Sequence, residues 1–107
     1  MEINKLIEIL SDMRSDSLRL CLNPSEEHFK EITDKYDLVL VGGKFEVVYT
    51  DDLSRTLKNV YGFDIPLSEL NDIIPLACKS LNMKFEPMVN AEDITNRKLF
   101  CHQVYLR

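Results

Sequence analysis

The positions of Pro66 and Pro75 constrain this sequence most, because they limit where helices can run between residues 50 and 85. A proline in the interior of a helix costs about 3 kcal/mol, whereas one in the first turn costs almost nothing. A helix is therefore predicted to begin at Asn71-Asp72, with Pro75 in its first turn and Asn82 at its end. Its inward side consists of apolar residues at helical spacing, namely Ile74, Ala77, Cys78 and Leu81.

The residues before Pro66 predict another helix and a short extended link. Thr50 or Asp51 is expected to cap a helix that ends at Gly62, because glycine accepts the positive φ of a helix terminus. Its apolar stripe is Leu53, Leu57, Val60 and Tyr61. Residues 63–66 are predicted to be extended, since Pro66 disfavours a helical conformation at the residue before it. Ser68 can then cap a single turn over 68–71.

The N-terminal third predicts two helices with a strand between them. Residues 2–13 carry an amphipathic pattern, with Ile3, Leu6, Ile7, Leu10 and Met13 on one face. Leu18, Leu20 and Leu22 alternate with other residues, which predicts a short strand. Asn23 is expected to cap the next helix, with Pro24 in its first position and its end near Lys35. The inner face of that helix is Phe29, Ile32 and Tyr36.

Residues 38–49 predict a β-hairpin with its turn at Gly42-Gly43, because glycines accept the positive φ of such turns. The pairing places one wholly apolar face against the core, made of Leu38, Leu40, Phe45, Val47 and Tyr49. A phosphate-binding loop is the alternative for the glycine pair. It would need a third glycine, or Gly-Lys-Ser/Thr before a helix, whereas Gly43-Lys44 runs on into a strand.

The C-terminal part predicts two more strands. Residues 84–89 form an edge strand, because Pro87 cannot donate a ladder hydrogen bond. Residues 90–96 form a polar loop, and the last strand covers 98–106 with Phe100, Val104 and Leu106 on one face. With no repeat or linker, the 107 residues are predicted to form one compact α+β domain.

The charge of the chain is acidic and unevenly spread. The net charge is −5. Residues 1–74 hold fifteen acids and eight bases and so carry −7, while residues 75–107 hold three acids and five bases and carry +2. Because the larger part repels phosphate, any contact with nucleic acid is expected to come from the C-terminal third.

The cellular context expected from the sequence is cytoplasmic. No apolar run approaches the roughly 20 residues of a membrane span, and no leader opens the chain. Cys21, Cys78 and Cys101 are odd in number and far apart, which predicts free, mostly buried thiols in a reducing compartment.

The residues give little support for catalysis, a metal or a cofactor, and none is expected. His28 lies on a helix among glutamates, which is typical of a surface residue. Cys101 and His102 are neighbours on a strand, so their side chains point to opposite faces and cannot share a metal without a bulge. Cys78 lies on the inner face of its helix, where a thiol acts as a small hydrophobe.

The order of elements over residues 51–107 resembles a winged-helix domain. The matching segments are 52–61, 63–66, 68–71, 72–81, 84–89 and 98–106. The resemblance implies that the third helix reads DNA and that the wing touches phosphate. The exposed side of that helix departs from this pattern, because it carries Asp72, Pro75, Lys79, Ser80 and Asn82 rather than the usual arginine and amide side chains.

Two functional hypotheses follow. The first is a non-catalytic protein-binding module that acts as regulator, adaptor or inhibitor, for example an acidic inhibitor of a basic nucleic-acid site, as small phage-encoded proteins often are. The second is a winged-helix transcription regulator that binds nucleic acid. Its contacts would come from the bases of the C-terminal third: Lys79, Lys84, Arg97, Lys98 and Arg107.

Overall fold

The computed structural model of the protein describes residues 2–38, 40, 44–89 and 99–106, and it shows an α+β fold. The elements in chain order are α1 (Ile3–Leu22), α2 (Glu26–Tyr36), β1 (Val47–Tyr49), α3 (Thr50–Asn59), α4 (Leu67–Leu81), β2 (Phe85–Val89) and β3 (Leu99–Tyr105). No described helix is both long enough and apolar enough to cross a membrane.

The first helix is longer than the sequence predicts. α1 continues to Leu22, so the strand predicted over Leu18–Leu22 is wrong. The buried stripe continues from Met13 through Asp16 and Ser17 to Leu20. Because two of these buried positions are polar, the helical period is hidden, and the alternating leucines imitate a strand. The Ser17 hydroxyl is satisfied by donating to the Phe45 carbonyl.

The second helix begins slightly later than predicted. Its cap is Ser25, not Asn23, and the Ser25 hydroxyl accepts the His28 N–H at 3.1 Å. The predicted inner face is confirmed for Ile32 and Tyr36, which are buried.

The segment predicted as a hairpin has a different structure where it is described. The Gly42-Gly43 turn lies outside the described residues. On either side of it, Leu38, Leu40 and residues 44–46 are not in strand, and the short β1 pairs with β3 instead. Leu38 and Phe45 are buried as predicted, but Val48 rather than Tyr49 faces the core. Val47–Tyr49 is a strand as predicted, but the predicted hairpin pairing is wrong where it is described, because β1 pairs with the long-range partner β3.

The third helix follows β1 without a break. Thr50 is its first residue, and Tyr49 occupies the cap position without a side-chain hydrogen bond, so neither Thr50 nor Asp51 is the cap. Gly62 has a φ of 75°, and the Phe63 N–H closes the turn on the Leu57 carbonyl at 2.8 Å. The predicted stop at Gly62 is confirmed, whereas the extended residues 63–66 join no strand.

The fourth helix is unbroken from Leu67 to Leu81, so the predicted break at Asn71-Asp72 is wrong. Pro75 lies inside it. The cost of an internal proline is outweighed by tertiary packing, since the apolar residues around it are completely buried: Leu70, Ile74, Ala77 and Cys78. The helix ends at Asn82 as predicted, and Asn82 adopts a left-handed conformation.

The three strands form an antiparallel sheet in the order β1-β3-β2. β2 lies at an edge, which confirms the position predicted for Pro87. In β3, Val104 is completely buried as predicted, but Phe100 is 53% exposed, which corrects its inward assignment. The helices cover one side of the sheet, where Val48, His102 and Val104 are buried.

Candidate protein-binding surface

The other side of the sheet carries a group of side chains from all three strands. Strand register places Val47 and Lys84 on either side of Tyr105, and Tyr49 and Glu86 on either side of Gln103. Met88 stands beside Cys101 in the next row. Because side chains alternate along a strand, these residues share one face. We call this set the outer sheet face: Val47, Tyr49, Lys84, Glu86, Met88, Gln103 and Tyr105.

The outer sheet face is accessible and unusually rich in large side chains. Tyr49 and Met88 are 36% and 38% exposed, and Tyr105 is half-buried. Within the described ranges, no helix covers this set of residues. Tyrosine and methionine are enriched in protein–protein interfaces relative to the rest of protein surfaces. The composition of this face is therefore typical of a docking surface.

Tyr105 stands diagonal to Glu86 across the β2–β3 pair. The neighbouring Glu86 carboxylate raises the pKa of Tyr105, with smaller contributions from burial and from Tyr49.

The start of α3 gives the outer sheet face an acidic margin. Cys101 points to the same side of β3 as Gln103 and Tyr105 but is buried next to the start of α3, and burial together with Asp51 and Asp52 raises the pKa of its thiol. Burial and the charge of Asp51 also raise the pKa of Asp52, whose carboxylate lies 3.5 Å from Arg55.

A buried polar network fixes the sheet to α3 and α4. The His102 N–H donates to Thr50 Oγ1 at 2.8 Å, and Thr50 Oγ1 donates to Asn71 Oδ1 at 2.8 Å. Asn71 Nδ2 donates to the Phe100 carbonyl at 3.2 Å. Asn71 Oδ1 is thus an acceptor, and His102 Nδ1 donates to it across 3.2 Å. The network holds β3 against the helices and so presents the outer sheet face.

The sequence does not reveal this network. From the sequence alone, Thr50 is interpreted as a helix cap and Asn71 as the start of a helix. The only hint is a histidine between Cys101 and Gln103 in an otherwise strand-like segment. The His102 ring is buried edge-on against Phe85, with ring centroids 5.7 Å apart, and burial lowers its pKa.

The residues predicted to contact nucleic acid are only partly described. Lys79 is exposed on α4, and Lys84 is exposed on the outer sheet face. Arg97, Lys98 and Arg107 lie outside the described residues. On the solvent side of α4, Asp72, Lys79, Ser80 and Asn82 are exposed as predicted, and Glu69 adds another acid.

Among the described residues, no three or more histidine, cysteine or carboxylate side chains are grouped so as to hold a metal. Cys78 is completely buried, and burial raises the pKa of its thiol to about 11. Such a thiol stays protonated at neutral pH and is a poor nucleophile.

These observations describe an α+β domain in which a three-stranded sheet leaves one aromatic face exposed. No protein-family model, curated protein or solved structure matches the chain.

Proposed function

We propose that this chain is a small, acidic, non-catalytic protein-binding module that docks on a larger partner as a regulator, adaptor or inhibitor. The observation that carries the proposal is the outer sheet face. It combines Tyr49, Met88 and Tyr105 on a surface that no described element covers. Tyrosine is among the residues that supply most of the binding free energy of protein interfaces, and methionine is enriched in them.

The charge around this face supports a protein partner with a basic surface. Glu86, Asp51 and Asp52 lie on or beside the face, Lys84 is the one described base on it, and Arg55 at the margin pairs with Asp52 at 3.5 Å. The chain as a whole carries −5. Such a surface attracts a basic, apolar patch and repels a phosphate backbone. An inhibitor that covers the basic site of its target is one form of this function.

The order of elements supports a winged-helix interpretation that uses different helices and strands from those predicted. The elements follow the order helix, strand, helix, helix, strand, strand from α2 to β3, which is the order on which the winged-helix resemblance rests. This order begins at residue 26 instead of 51. In this assignment α4 is the third helix. Its solvent side carries Glu69 and Asp72 against Lys79, which disfavours insertion into a DNA groove and favours a protein-binding role.

Nucleic-acid binding as a transcription regulator is the alternative, and one observation favours it. Lys84 shares the outer sheet face with two tyrosines, and aromatic rings beside a base can stack nucleotides. Lys79, Arg97, Lys98 and Arg107 would complete the contacts.

Capture of the partner and a duplex-DNA titration, run side by side, test the proposal. Capture from cells that naturally contain the protein should yield one stoichiometric basic partner. Duplex DNA should bind no tighter than about 10⁻⁴ M at physiological salt, which is the non-specific range. Nanomolar, sequence-specific duplex binding that is lost on Lys79→Ala or Arg97→Ala would overturn the proposal in favour of the alternative.

A further inference from the structure

The Glu86 carboxylate is a charged group that the fold leaves available. Glu86 is exposed in β2 and makes no ion pair with any described residue. Lys84 is two residues away on the same face, but its ammonium does not lie within ion-pair distance. Tyr105 in the central strand β3 stands diagonal to Glu86, which places the carboxylate beside an aromatic side chain.

The strand register places complementary groups in one row with Glu86. Gln103 in the central strand β3 stands between Glu86 in β2 and Tyr49 in β1. Neighbouring strands are about 4.8 Å apart, so the row from Tyr49 to Glu86 spans about 10 Å. Tyr105 occupies the diagonal position next to the row. A carboxylate, an amide and two aromatic rings thus surround one small area of the sheet.

We propose that this row is a recognition site for an arginine side chain of the partner protein, an inference that rests on the proposed protein-binding function. The planar guanidinium donates two parallel hydrogen bonds to the Glu86 carboxylate and stacks its face on a tyrosine ring. The Gln103 amide oxygen accepts a further N–H. The carboxylates of Asp51 and Asp52 at the margin add long-range attraction for the cation.

The geometry distinguishes arginine from the other charged groups that a partner can offer. Lysine presents a compact ammonium without a planar fork, so it cannot both stack and bind the carboxylate in two places. A phosphate group needs converging cations, whereas the charge in this row is the Glu86 carboxylate and Lys84 is the one described base on the outer sheet face. Both are therefore rejected in favour of a guanidinium.

The experiment titrates the isotope-labelled protein with N-acetyl-arginine amide and records backbone and tyrosine NMR shifts. The lysine and citrulline amides are titrated in parallel, since citrulline keeps the shape of arginine without its charge. The variants are Glu86→Gln and, as a matched control, Glu69→Gln, which removes an exposed carboxylate from α4 instead. Each variant spectrum also reports whether the fold is intact.

The arginine amide should give saturable shifts at Tyr49, Gln103 and Tyr105, at millimolar concentrations typical of a single side chain. Glu86→Gln should weaken this binding by about threefold or more, while Glu69→Gln leaves it unchanged. Equal shifts with lysine or citrulline amide, or unchanged binding by Glu86→Gln, would overturn the arginine site. Absence of arginine binding together with a partner that still requires Tyr49 and Tyr105 would refute this inference alone and leave the proposed function standing.

Discussion

The Tyr36 hydroxyl donates a 2.5 Å hydrogen bond to Asp16 Oδ2, and Lys35 Nζ lies 2.8 Å from the same oxygen. This contact joins α1 to α2 through a carboxylate that is only 6% exposed. Burial alone would raise the pKa of Asp16, but the hydrogen bonds from Lys35 and Tyr36 and the charges of Lys35 and Arg19 hold it below its ordinary value. A charged, satisfied carboxylate therefore anchors the N-terminal helices.

Tyr36→Phe should lower the free energy of unfolding by about 1.5–3 kcal/mol, the usual contribution of a hydrogen bond to a charged group. Urea titration measures the change. Tyr61→Phe is the control, because the half-buried Tyr61 hydroxyl makes no hydrogen bond to a described residue. Equal losses in the two variants would contradict the importance assigned to the Asp16 contact.

Stability should fall as the pH drops below 6.5 because of His102. Burial lowers the pKa of His102 from its ordinary value of 6.5, so the unfolded chain binds a proton that the folded chain does not. Folding is favoured while both states are neutral, and this contribution is lost progressively below pH 6.5. His102→Gln should flatten the pH dependence between about pH 7 and 5, whereas His28→Gln should preserve it. If the free energy of unfolding varied with pH in the same way in the wild type and in both variants, His102 would not be the source of the pH dependence.

Pro75→Ala should stabilise the protein by about 1–2 kcal/mol. Alanine restores the N–H that an internal proline lacks and removes the ring clash in the preceding turn, while the lost packing of the half-buried ring offsets part of the gain. Thermal and urea unfolding measure the effect. A loss of stability would mean that the fold requires the proline.

Gly62→Ala should cost about 1 kcal/mol, because φ at this position is 75° and side chains other than glycine avoid that region. A Cβ atom here meets nothing within 4 Å, so backbone strain is the only cost. Asparagine tolerates the left-handed region better, and Gly62→Asn should lose less. Equal losses of unfolding free energy in Gly62→Ala and Gly62→Asn would rule out backbone strain as the cause.

The local patterns of the sequence predict much of the helical structure. Ser25 is close to the predicted cap of α2, Leu53 and Leu57 are on the predicted inner side of α3, and Gly62 stops it. Capping, helical spacing and positive φ are properties of a few neighbouring residues. They can therefore be recognised without knowledge of the rest of the chain.

The errors arise where distant contacts override local preferences. α1 continues past Met13 because Tyr36 and Lys35 satisfy Asp16, and α4 continues through Pro75 because its apolar side is buried. β1 pairs with β3 instead of forming a hairpin strand. The outer sheet face could not be predicted for the same reason, since only that pairing brings Tyr49 beside Gln103.

The central claim is that the partner docks on the outer sheet face, and calorimetric titration of the captured partner tests it most directly. The double substitution Tyr49→Ala/Tyr105→Ala removes both aromatic side chains from the face. Leu22→Ala removes a leucine that is 76% exposed on α1 and does not belong to the face. We expect the double variant to lose about 2 kcal/mol of binding free energy or more, roughly thirtyfold in Kd, and Leu22→Ala to bind as the wild type does. Unchanged affinity of a folded double variant, or a comparable loss with Leu22→Ala, would contradict the account.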